Sequence, residues 1–234
     1  MKQTAGAVHS IALDGPAGAG KSTIAKSLAR RLSYIYVDTG AMYRALSVYF
    51  LSLGLDPDDE KGISEAVGAA EVGIVYRDGQ QHVLLNGTDV TDRLRTEEVS
   101  DMASRSSAYA AVRAHLLSLQ RGLAKTQNVI MDGRDIGTVV LPCATLKVFL
   151  TASPAVRAKR RYDQLVSQGI LNGATLSEIE ADIRARDYRD SHRENAPLKQ
   201  AEDAVLLDSS SLNAEEVQTE IIRLLEERVG HECE

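Results

Sequence analysis

Ser10-Ile11-Ala12-Leu13-Asp14-Gly15-Pro16-Ala17-Gly18-Ala19-Gly20-Lys21-Ser22-Thr23 is the stretch that decides the architecture. Its first four residues form a short apolar run, which reads as a buried strand. From Gly15 to Ser22 the chain matches G-x-x-x-x-G-K-[ST] at every fixed position. Glycines are needed there so that successive backbone N–H groups can turn inward around phosphate oxygens. Beyond the turn, Ile24, Leu28 and Leu32 recur at i, i+4 and i+8, with Ala25 and Ala29 beside them, giving one apolar helix face. The positive end of that helix points at the same anion. In such a loop the residues from Gly15 to Thr23 surround the phosphates of a nucleoside triphosphate. Lys21 reaches the β and γ phosphates, and the Ser22 hydroxyl ligates Mg²⁺.

Working outward, Tyr34-Ile35-Tyr36-Val37 reads as a second strand. Val129-Ile130-Met131, Leu146-Lys147-Val148-Phe149-Leu150 and Ala204-Val205-Leu206-Leu207 read as three more. Helical segments separate them, so the expected class is α/β, a parallel sheet of about five strands with helices on both faces. One stretch breaks the rhythm. Asp78-Gly79 and Asn86-Gly87 punctuate two alternating runs between Glu71 and Val90, which predicts a small antiparallel insert of two or three strands. Ser153-Pro154, Thr175 with Glu178, and Asn213 with Glu216 mark helix starts, and Gly230 is the expected stop of the last helix. The expected organisation is a disordered lead over 1–9 and a core over 10–64, 105–152 and 195–230. The insert covers 65–104 and a helical, arginine-rich lid covers 153–194.

The net charge of −6 argues against a general nucleic-acid binder. No apolar run approaches the length of a membrane span, and the N-terminal residues lack the apolar core of a secretion signal. Cys143 and Cys233 are far apart and fit neither a disulfide framework nor a metal site, so a reducing cytoplasm is expected. The five histidines show no metal-ligand spacing. A monomer is the plain expectation, since nothing in the chain reads as an assembly surface.

A phosphate loop alone does not separate a kinase from a switch or a motor. Asp132 closes the strand Val129–Met131 and is the candidate second magnesium ligand beside Ser22. An ordinary turn aspartate beside Gly133 is the competing account. The Asn-Lys-x-Asp segment of GTP switches is missing from the sequence. Arginines away from the loop point instead to a small anionic acceptor, because a guanidinium fork gives two parallel bonds to phosphate. Arg44 follows the second strand, Arg134 follows the third, and Arg157, Lys159, Arg160 and Arg161 put four basic residues in five. Arg184, Arg186, Arg189 and Arg193 alternate with Asp182, Asp187 and Asp190. A solvated helical face with internal ion pairs describes the last two clusters as well as a lid does. Gln168-Gly169-Ile170-Leu171-Asn172-Gly173 supplies the joint that a closing lid needs.

These residues carry a family resemblance. Gly15–Thr23, Asp38-Thr39-Gly40-Ala41-Met42-Tyr43-Arg44, Asp132-Gly133-Arg134-Asp135-Ile136-Gly137-Thr138-Val139-Val140 and Arg186-Asp187-Tyr188-Arg189-Asp190-Ser191 together resemble bacterial cytidylate kinase. The likeness runs from about Ile11 to Val217, and the insert resembles the extra piece of the long bacterial forms. It implies transfer of the γ-phosphate of ATP to CMP or dCMP, with Lys21, Asp132, Arg134 and Arg186 at the chemistry. It further implies that Thr39, Arg44 and Arg134 grip the acceptor phosphate, with Arg186 and Arg193 helping from the lid. Ser104, Arg113 and Asp135 would read the cytosine, and Asp190 would contact the sugar. Arg157, Arg160 and Arg161 would lie over the ATP phosphates. Cys143 departs from the pattern, where an acidic residue is expected. UMP, AMP or shikimate as acceptor, and a non-catalytic switch whose arginines bind RNA, remain alternatives on the residues alone.

Overall fold

The computed structural model describes residues 8–231. Most of the expected N-terminal lead, and Cys233, lie outside them. His9 is pinned, donating its backbone N–H to Asn128 Oδ1 at 2.7 Å.

Five strands form one sheet: β1 (Ser10–Asp14), β2 (Ile35–Asp38), β6 (Val129–Gly133), β7 (Leu146–Thr151) and β8 (Val205–Asp208). Their order is β2-β6-β1-β7-β8, and every pairing is parallel. The central strands β1, β6 and β7 are buried on both faces over most of their length, as a covered parallel sheet requires, while the edge strand β8 leaves Leu206 exposed. On one face α1 (Lys21–Leu32) and α8 (Ala214–His231) pack Ile24, Leu28, Val217 and Ile221 against Ile11, Leu13 and Val148. On the other, α2 (Thr39–Ser52), α4 (Glu97–Ser106) and α5 (Ala110–Leu123) bring Met42, Leu46, Met102 and Leu116 onto Ala12, Val37 and Met131. Each such fully buried side chain contributes about 1.5–3 kcal/mol.

The short α3 (Glu60–Ala66) leads into the insert, which is β3 (Val72–Arg77), β4 (Gln80–Leu85) and β5 (Thr88–Asp89), all antiparallel. Its two turns sit at Asp78-Gly79 and Asn86-Gly87, each with φ between 49° and 78°. Val83 and Leu85 bury against the α2 side of the core. The segment expected to form a lid holds α6 (Pro154–Ser167) and α7 (Leu176–His192), joined through their own small apolar cluster of Ala158, Ile179 and Ile183. The capping box at Thr175 and Glu178 forms as expected. Gly230 does not stop α8; it keeps a helical backbone inside the final turn.

Candidate functional site

Strands β1, β2 and β6 deliver their C-terminal ends to one side of the sheet, and a cleft of about 380 Å³ opens there. Ligands in open α/β sheets bind at this edge.

The loop from Gly15 forms one wall. Gly15 has φ +147°, and a Cβ on it would lie 1.9 Å from Leu150 O, so only glycine fits. Gly20 caps α1 without a side-chain hydrogen bond, and the first turn holds no acidic residue. The positive end of α1 therefore stays free for an anion. Lys21 is buried and folds back over the loop, donating to Gly15 O at 2.7 Å and Pro16 O at 2.8 Å. Burial, then Arg134 nearby, lowers its pKa well below the usual lysine value.

Asp132 faces Lys21 from the end of β6. It accepts from Ser22 Oγ at 2.8 Å and from Tyr36 Oη at 2.9 Å. Burial, reinforced by the Asp38 charge, raises its pKa to about 6. Asp14 is raised to about 6 as well, by burial against two backbone N–H donors from Gly137 and Ile136.

The opposite wall is arginine-lined. Asp38 caps α2 by accepting from Ala41 N and holds Arg44 at 3.4 Å, while Thr39 donates to Asp132 O at 2.8 Å. Arg134 donates through Nε to Asp190 at 2.9 Å. Arg113 pairs with Asp135 and donates to Ser107 O at 3.1 Å, its guanidinium 5.7 Å from the Tyr43 ring centroid. Arg193 approaches Asp135 at 3.8 Å, a charge contact beyond hydrogen-bond reach. Arg186 is largely buried, and its pKa falls to about 10 through desolvation and then the Arg134 charge. Asp190 is held below the usual carboxylate value, because Arg134 and Arg186 outweigh a desolvation that acts the other way.

Among the described residues seven buried side-chain polar atoms lack a partner, and four of them sit on this cleft: Arg44 Nε, Ser104 Oγ, Arg186 Nε and Arg193 Nη2. Buried polar groups are almost always paired in folded proteins, so a cluster of unpaired ones marks a place built for a polar ligand.

Thr39, Arg44, Ser104, Arg113, Arg134, Asp135, Arg186, Asp190 and Arg193 thus come together with Lys21, Ser22 and Asp132 in one cleft. Arg157, Arg160 and Arg161 do not line it. Arg157 is buried behind the phosphate loop, donating to Ala152 O at 2.8 Å and Ala17 O at 3.0 Å and forking onto Asp187 at 2.6 and 3.1 Å. Arg160 turns to Ser209, and Arg161 is exposed beside Gln164. Their position on α6 explains this, since one helix face packs on the core and the other meets solvent. Eight lining residues lay outside the sequence-based selection, five of them with polar side chains: Asp38, Tyr43, Arg95, Ser107 and Gln164. Asp38 had a signal, because it ends a strand as Asp132 does. Arg95, Ser107 and Gln164 had none.

Residues 11–227 match the family described as Cytidylate kinase. The chain is similar to the cytidylate kinase of Lactobacillus johnsonii, 46% identical over 93% of this chain and 94% of that protein. It is similar to that of Caldicellulosiruptor bescii, 48% identical over 95% and 97%. Among solved structures, an uncharacterized protein from Eubacterium ventriosum shares the fold at a TM-score of 0.53 and 10% identity, covering 93% of this chain and 98% of that one. With a phosphate loop facing an arginine-lined wall, and a family match over nearly its whole length, this chain belongs to the cytidylate kinase family.

Proposed function

We propose that the protein transfers the γ-phosphate of ATP to CMP or dCMP, releasing ADP and CDP or dCDP. The observation that carries this reading is the single cleft in which an anion cradle at the head of α1 faces unpartnered arginine and serine donors. Two anionic substrates meet there end to end. The acceptor phosphate oxygen bonds to the γ-phosphorus as the bond from that phosphorus to the bridging oxygen of ADP breaks, in line.

The residues present fit a magnesium ion. Ser22 Oγ and Asp132 offer two hard oxygen ligands 2.8 Å apart, and the raised pKa of Asp132 marks a buried carboxylate short of positive charge. Bound there, the ion would neutralise charge on the donor phosphates. Lys21 would exchange its hold on Gly15 and Pro16 for the β and γ oxygens. Arg134, bonded to Asp190 and near enough to Lys21 and Arg186 to lower their pKa values, would bridge the acceptor phosphate and the group in flight. Thr39 and Arg44 would complete the grip on the acceptor phosphate, aided by Arg193. Asp135, held by Arg113, would accept from the exocyclic amine of cytosine, with Ser104 at the ring edge and Asp190 at the sugar. A carboxylate in that role is left unpaired by UMP, which lacks the amine, so discrimination is large.

Arg157 is better placed to brace the loop from behind than to touch phosphate. Its bond to Ala17 O and its fork onto Asp187 tie the loop to α7. The lid helices would close over the donor through the Gln168–Gly173 joint, where Gly169 and Gly173 have φ +69° and +78°. We take the working form to be a cytoplasmic monomer.

ADP release with ATP and Mg²⁺, run against CMP, dCMP, UMP, AMP, GMP and shikimate, tests the reading. Turnover on CMP and dCMP alone is expected. Preference for another acceptor would overturn the base assignments, and silence across the panel would overturn the activity.

A further inference from the structure

The insert touches the acceptor side of the cleft in a directional way. Strand β2 is the edge of the main sheet, with β6 on one side and, among the described residues, no strand on the other. In a strand, alternate residues turn both backbone groups the same way, so Tyr36 and Asp38 present theirs to the open edge. Two side chains of the hairpin meet them. Gln81 Oε1 accepts from Asp38 N at 2.8 Å, and Gln81 Nε2 donates to Asp38 O at 3.2 Å. Tyr76 Oη donates to Tyr36 O at 3.0 Å. Tyr76 and Gln81 are direct cross-strand partners in the β3–β4 ladder, so both point from one face of the hairpin.

We propose that Gln81 is a positioning residue for the acceptor: its amide, docked on both backbone groups of Asp38, sets the turn that presents Thr39 and Arg44. The role of that turn rests on the function proposed above; the docking itself does not. An amide can accept and donate at once, which is what pairing with one residue's N–H and C=O requires. Around these bonds the hairpin strands meet the core through apolar side chains, Val83 and Leu85 against the α2 side, and such packing is not directional. The hydrogen bonds therefore fix the angle at which β2 hands over to α2. Asp38 also caps α2 and holds Arg44, and Thr39 is tied to Asp132 O. A shift at Asp38 moves acceptor-side groups while the loop at Gly15–Thr23, two strands away across β6, stays in place.

The test uses Gln81→Met, which removes both bonds at similar size, Gln81→Glu, which keeps an acceptor and loses the donor, and Tyr76→Phe. Wild type is first run on the acceptor panel, and KM shifts are read on whichever acceptor it prefers, so failure of the CMP reading is seen separately. Gln81→Met should raise the acceptor KM roughly tenfold, with the ATP KM and kcat within about twofold of wild type. Gln81→Glu should fall between, and Tyr76→Phe should show the smallest shift. Amide hydrogen exchange at Asp38, measured without nucleotide, should speed up in Gln81→Met, a readout independent of activity. An unchanged acceptor KM, or equal rises for ATP and acceptor, overturns the proposal. If Gln81→Met does not fold, the KM shift and Asp38 exchange of Gln81→Glu decide it on the same terms.

Discussion

The two walls of the cleft prepare for negative charge by different means. On the donor wall the work falls to backbone: Gly15 and Gly20 bend the chain, and α1 offers N–H groups with no side chain in their way. Lys21 rests on the loop's own carbonyls, at Gly15 and Pro16. The acceptor wall is built from side chains already engaged with protein carboxylates. Arg44 leans on Asp38, Arg113 on Asp135 and Arg134 on Asp190. Those carboxylates hold these arginines in place, and unpaired nitrogens remain on Arg44, Arg186 and Arg193 around the cleft. A backbone cradle recognises any polyphosphate, whereas a lattice of paired side chains can choose a particular acceptor.

Lys21→Ala strikes the donor wall hardest. It should lower kcat by roughly a thousandfold while leaving CMP affinity, read by equilibrium titration, within a few-fold of wild type. Comparable losses in both would erase the division between the walls. Arg134→Ala should cost about a hundredfold in kcat and also weaken CMP, since the proposed mechanism puts this arginine where the two substrates meet. Full activity at saturating CMP would remove Arg134 from the chemistry. Asp135→Asn should narrow the preference for CMP over UMP by at least about tenfold, measured as the ratio of kcat/KM values, with ATP parameters little changed.

The remaining effect concerns stability rather than turnover. Asp132 has its pKa raised to about 6 by burial and then by Asp38. The folded protein therefore holds that proton more tightly than the unfolded chain. Stability from this group is present below about pH 4 and is lost as pH rises through about 6. An amide at this position cannot titrate, so Asp132→Asn should gain on wild type by on the order of 2 kcal/mol between pH 4 and pH 7.5. Urea unfolding in chelator without nucleotide reads this, and a pH-independent gap would mean that Asp132 is ionised at no cost.

Much of the donor wall was legible because its information is local. Fourteen consecutive residues, Ser10–Thr23, contain the strand, the turn and the helix start, and each responds to its near neighbours. The hairpin turns at Asp78-Gly79 and Asn86-Gly87 were legible for the same reason, since positive φ is a property of the residue itself. The arginines on α6 were not. Arg157, Arg160 and Arg161 sit in one basic run, but a helix turns about 100° per residue, so one faces the core, one reaches Ser209 and one meets solvent. Gln81 carried no signal either, because a glutamine in an alternating strand looks like any solvent-facing polar residue.

What the sequence by itself determined is the phosphate loop, the parallel α/β class, the insert and the family, all properties of contiguous motifs. Only the tertiary structure decided which carboxylate holds which arginine, that Arg157 bonds to Ala17 O in the phosphate loop, and that Gln81 reaches Asp38 across 43 residues of chain. Those pairings depend on where strands and helices end in space, and sequence separation does not constrain them once the core has packed.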